Sequence, residues 1–72
     1  MDDYEHTPEG HVAVYCDAIK FSKSGLALIC DFGDEEVFIP TSQIHDNSEV
    51  FEPGQSGYLV IPEWLAIDKE IV

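Results

Sequence analysis

Leu26-Ala27-Leu28-Ile29-Cys30-Asp31-Phe32-Gly33-Asp34-Glu35-Glu36-Val37-Phe38-Ile39-Pro40 is the stretch on which the fold turns. Gly33-Asp34 is a two-residue hairpin signal, with glycine at the first central position of a type II′ turn. Closing the chain there pairs Phe32 with Glu35, Cys30 with Val37 and Leu28 with Ile39. That register gathers Leu28, Cys30, Val37 and Ile39 on one face, as a core requires. The opposite face carries Ile29 and Phe38, with Asp31 and Glu36 nearer the turn. Both faces are thus apolar away from the turn, so the sheet is expected either to curl into a barrel or to be covered on its second face.

Toward the N-terminus, Val12, Val14 and Cys16 alternate with Ala13, Tyr15 and Asp17, the period of a strand. The alternation slips at Ala18-Ile19 and resumes at Phe21, which predicts a β-bulge near Ala18. Ser22-Lys23-Ser24-Gly25 reads as a turn, with Leu26 opening the next strand on the core side. A loop centred on Lys23 places Cys16 directly opposite Cys30. Residues 1–10, with four acids, a Pro and a Gly, read as a loose acidic tail.

Toward the C-terminus, Pro40 ends the third strand, and Thr41-Ser42-Gln43-Ile44 suits a short helical turn capped by Thr41 or Ser42. His45-Asp46-Asn47-Ser48 is a loop, with Val50 and Phe51 as anchors or a short strand. Pro53-Gly54-Gln55-Ser56-Gly57 is a turn cluster. Tyr58-Leu59-Val60-Ile61 is the last strand. Pro62 suits the first position of a helix over about 62–70, and Trp64, Ile67 and Ile71 form its stripe, widened by Leu65. The order β-β-β-turn-β-α predicts one domain over 11–72. It is mostly β with a C-terminal helix, a small antiparallel SH3-like or OB-like partly open barrel.

The chain has 72 residues and 44% hydrophobic content, enough for one small folded core. Fifteen acids against three lysines and no arginine give a net charge of −12. Phosphate and base recognition relies on cationic side chains, arginine above all, so direct nucleic-acid binding is not expected. Anionic membrane surfaces are disfavoured for the same reason. A basic protein partner is favoured, because opposite fields steer association; the plainer reading of the acidity is solubility. The polar start, Met1-Asp2-Asp3-Tyr4-Glu5-His6, does not resemble a signal peptide, and a cytoplasmic location is expected. Cys16 and Cys30 are too few for a disulfide scaffold and are expected to be buried free thiols.

Residues that carry chemistry are sparse. Asp31-Phe32-Gly33 spells a kinase tripeptide without the rest of a kinase. Asp31, Asp34, Glu35 and Glu36 lack calcium-loop spacing and read as a solvated hairpin tip. His6, His11, Cys16, Cys30 and His45 show no zinc-ligand spacing. No serine has a readable base or a nucleophile elbow, and no glycine-rich phosphate loop is present. No catalytic residue, metal or cofactor is therefore expected. Trp64 reads as an anchor of the helix to the sheet. The candidate binding residues are the acids Asp31, Asp34, Glu35 and Glu36 and the outward-facing Tyr15, Ile29 and Phe38.

Ala27-Leu28-Ile29, Glu36-Val37-Phe38-Ile39-Pro40, Ser42-Gln43-Ile44, Pro53-Gly54, Gly57-Tyr58-Leu59-Val60-Ile61 and Pro62-Glu63-Trp64-Leu65-Ala66 resemble small uncharacterised proteins encoded by bacteriophages and prophages. Phe38 stands where that pattern often has Trp, and Thr41 where it has Lys. The resemblance implies a phage or mobile-element origin and carries no activity. The expected function is a non-catalytic acidic interaction module for a basic host or phage protein. One version is nucleic-acid mimicry of the anti-restriction or anti-CRISPR type. The alternative is an accessory subunit that homo-oligomerises through the apolar second sheet face.

Overall fold

The computed structural model describes residues 7–33 and 35–71. The fold is mostly β with a C-terminal helix. Its elements are β1 (His11–Phe21), β2 (Ala27–Asp31), β3 (Glu36–Pro40), a 3-10 turn (Thr41–Gln43), β4 (Ser56–Pro62) and α1 (Glu63–Asp68). The strands form an antiparallel open sheet in the order β3-β2-β1-β4. The expected loose tail falls largely on residues 1–6, outside the described residues. At its inner end, the Gly10 carbonyl accepts the Glu63 N–H at 2.9 Å.

The β2–β3 hairpin has the expected register: Cys30 lies opposite Val37 and Leu28 opposite Ile39. Leu28, Cys30 and Ile39 are fully buried and join Cys16, Ala18, Val37, Val50, Leu59, Ile61, Leu65 and Ala66 in one core. The bulge also falls where the alternation slips, between Ala18 and Lys20.

The first hairpin departs from its expected register. Ala18, not Cys16, lies opposite Cys30, and Phe21 lies opposite Leu28. The cause is a wider turn. The Ser22 hydroxyl accepts the Ala27 N–H at 3.1 Å and Ser24 Oγ accepts the Leu26 N–H at 3.2 Å. The Thr41 N–H and hydroxyl both donate to the Leu26 carbonyl. Leu26 is therefore held in the turn and exposed. The Thr41 bond to Leu26 takes that hydroxyl away from the 3-10 turn, which starts from Pro40 without a side-chain cap.

From the 3-10 turn the chain crosses beneath the sheet to the other edge, where residues 44–50 line β4. Here side chains supplement a partial main-chain pairing, in which the His45 N–H donates to the Val60 carbonyl at 2.9 Å. The Val60 N–H donates to Ser48 Oγ at 2.8 Å, and that hydroxyl donates to the Val60 carbonyl at 3.3 Å. The Glu49 N–H donates to the Tyr58 carbonyl at 2.8 Å, and Glu49 Oε1 accepts the Tyr58 N–H at 2.9 Å. Glu49 occupies the space that a Cβ on Gly57 would need, at 2.7 Å from its Oε1. Ser48 is buried, so Ser48→Ala leaves the Val60 N–H without a partner and is expected to cost about 1–3 kcal/mol. Urea unfolding with an unchanged slope and a lowered midpoint is the expected reading.

The helix is shorter than expected, and two residues of its expected stripe, Trp64 and Ile67, face out. Leu65 and Ala66 enter the core, whereas Trp64 and Ile67 are 60% and 58% exposed. Trp64 is thus not the anchor. α1 continues straight from β4, so the strand's pleat fixes its rotation. Its end is a Schellman motif: the Ile71 N–H bonds the Ala66 carbonyl and the Glu70 N–H bonds the Ile67 carbonyl, with Glu70 at φ 60°. That turn brings Ile71 back against the core. Among the described residues no helix is long and apolar enough to cross a membrane.

Candidate functional site

In a pleated sheet alternate residues share a face, so the face opposite the core can be read row by row. The row through Leu28's neighbour is Phe38–Ile29–Lys20, since Ile29 lies opposite both Phe38 and Lys20. The next row is Glu36–Asp31–Asp17–Ser56. Beyond it, Tyr15 lies opposite Tyr58, their rings edge to face with centroids 5.7 Å apart. Ile29 and Val60 are buried on this face, outside the core cluster. Tyr15 and Phe38 are more than half exposed.

Five of the residues singled out from the sequence therefore meet on one face: Tyr15, Ile29, Asp31, Glu36 and Phe38. Glu35 does not join them. It pairs with Phe32, whose N–H donates to its carbonyl at 3.1 Å, and is exposed at the hairpin end. Asp34 lies outside the described residues. The sequence reading missed Asp17 and Tyr58, because their membership depends on the β1–β2 and β1–β4 registers. The alternation around Tyr15 signals the face but not its neighbours.

Asp17, Asp31 and Glu36 form three carboxylates directly opposite one another on adjacent strands. Like charges in that position destabilise a sheet. Part of the arrangement is held by local bonds: Asp31 Oδ1 accepts the Gly33 N–H at 2.8 Å, and Asp17 accepts the Ser56 hydroxyl. No described lysine lies in this row. Lys20 and Lys23 instead flank a groove of about 400 Å³ lined by Phe21, Ile29 and Phe38, at the other end of the same face.

The soft-metal candidates separate. His6 lies outside the described residues. His11 and His45 stack edge to face at 5.1 Å beside a shallow cleft of about 260 Å³. Their Nδ1 atoms are engaged, with Glu9's carbonyl and with the Asn47 N–H respectively. Among the described residues no group of three or more His, Cys, Asp or Glu is placed to hold a metal ion.

Cys16 and Cys30 are free and buried, diagonal neighbours on the core face. The neighbouring Cys30 sulfur, then burial, then the nearby Asp17 and Asp31 carboxylates hold the Cys16 thiol far above its ordinary pKa. The Cys30 Sγ donates to the Leu28 carbonyl at 3.8 Å. Reactivity needs an accessible thiolate. Both thiols are therefore expected to resist an aromatic disulfide reagent in the native protein and to react at once in denaturant. Rapid native labelling of either contradicts the packing.

No protein-family model matches the chain, and neither a curated protein nor a solved structure matches it.

Proposed function

We propose that the protein is a non-catalytic binding module that docks a basic protein onto the face bearing Tyr15, Asp17, Asp31, Glu36, Phe38 and Tyr58. The observation that carries this reading is the Asp17–Asp31–Glu36 row. Three carboxylates stacked across three strands cost folding stability, and a bound cationic surface offsets that repulsion. The flanking rings suit the same partner, because lysine and arginine pack on aromatic faces. The net charge of −12 steers such a partner from a distance. A groove built for phosphates would accept the same carboxylates, so nucleic-acid mimicry is one form of this function. The resemblance to phage and prophage proteins points to a host protein as the partner and to the host cytoplasm as the place.

Affinity capture from a bacterial lysate tests the reading. The parent is expected to retain a basic protein that elutes with salt. The Asp17→Asn/Asp31→Asn/Glu36→Gln variant, which keeps the local acceptors, is expected to lose it. Equal retention by both contradicts the assignment. A second reading has its own observation: Phe38, 53% exposed beside buried Ile29, offers an apolar surface for self-association.

A further inference from the structure

The outer edge of β3 has a donor and acceptor pattern that can be derived from its inner edge. The Phe32–Glu35 bond marks that pair as hydrogen-bonded, so Cys30–Val37 and Leu28–Ile39 are hydrogen-bonded pairs too. Val37 and Ile39 therefore direct their main-chain groups to β2, and Glu36 and Phe38 direct theirs outward. Among the described residues nothing pairs with that edge.

The two ends of this edge carry opposite charge. Its start adjoins the carboxylates of Glu35, Glu36 and Asp31. Its end, Pro40, lies opposite Ala27, which bonds Ser22 beside Lys23 in the first turn. We infer that two copies of the chain pair antiparallel along β3 about a two-fold axis at Phe38, giving one continuous sheet. An antiparallel two-fold sets the acidic end of each edge against the lysine end of the other. Phe38 meets Phe38 of the second copy, N–H to carbonyl in both directions, with the two rings on the same face. Glu36 then lies opposite Pro40, and the two Glu36 residues stand about 13 Å apart along the strands. Sliding toward the acidic ends brings those carboxylates together, and sliding the other way leaves only residues 38–40 of the two strands overlapping. Charge and strand overlap thus select one register. This inference gives the self-association reading its geometry and is independent of the basic-partner reading.

Sedimentation equilibrium from about 10 μM to about 1 mM, a range that covers weak dimers, provides the test. Lys23→Glu and Glu36→Lys are each expected to weaken dimerisation at least tenfold, and the double variant to restore it, with circular dichroism unchanged. Phe38→Cys is expected to form a covalent dimer with glutathione disulfide, one protein disulfide forming as two glutathione thiols are released. Ile67→Cys, equally exposed on α1, is expected to do so far more slowly. A parent that stays monomeric throughout overturns both the edge pairing and the self-association reading. A parent that dimerises without charge-reversal rescue and without selective coupling at Phe38→Cys overturns the edge pairing alone and leaves a face-to-face dimer.

Discussion

Leu28→Ala is expected to lower stability by about 2–5 kcal/mol, the range for truncating a buried leucine. Leu28 is fully buried at the crossing of both hairpins, opposite Ile39 on β3 and Phe21 on β1. The core beneath it is thin: the sheet supplies one layer, and Val50, Leu65 and Ala66 supply most of the other. Such a core has few neighbours able to collapse into the vacated space. Domains of this size have about 5–15 kcal/mol in total, and each kcal/mol moves the melting temperature by about 4–8 °C. Thermal unfolding is therefore expected to fall by 10 °C or more. Leu26→Ala is the control: Leu26 is 72% exposed in the turn and is expected to change little. An unchanged melting temperature for Leu28→Ala would show the register to be wrong.

The largest functional effect is expected from Asp17→Asn/Asp31→Asn/Glu36→Gln. Each exposed charge pair contributes modestly in water. Three removed together from one row are expected to weaken a cationic partner by about tenfold or more at low salt. The loss should lie mainly in the association rate. It should fade between about 0.05 and 0.5 M salt, as the Debye length falls from roughly 14 to 4 Å. Stability moves the opposite way: relieving like charges across the strands should hold or raise the melting temperature. Opposite signs for binding and stability are the signature of a site kept at a cost to the fold. A general loss of folding gives the same sign for both.

Much of the fold was legible in local pattern. Gly33-Asp34 and the alternation on either side set the β2–β3 register without reference to the rest of the chain. The broken alternation at Ala18-Ile19 located the bulge. What escaped depended on contacts distant in sequence. The first turn widens because Ser22, Ser24 and Thr41 hold Leu26 out of the strand, and Thr41 is fifteen residues away. The helix stripe held at Leu65 and Ile71, which reach the core, and misled at Trp64 and Ile67, because the strand feeding α1 turns Leu65 and Ala66 inward. Residues 44–50 carry no strand period because Ser48 and Glu49 bond β4 with side chains. The candidate face was half legible: the outward set on one hairpin was clear, whereas Asp17 and Tyr58 joined it only through the two registers of β1.

Amide chemical-shift mapping with a short peptide of alternating lysine and arginine tests the central claim most directly. Polycations attract any protein of net charge −12, so location is the discriminating result. The account predicts shifts concentrated at residues 15–17, 29–31, 36–38 and 58. It also predicts their loss in the Asp17→Asn/Asp31→Asn/Glu36→Gln variant. Shifts spread evenly over Glu52, Glu63, Asp68 and Glu70, and unchanged in that variant, would contradict it.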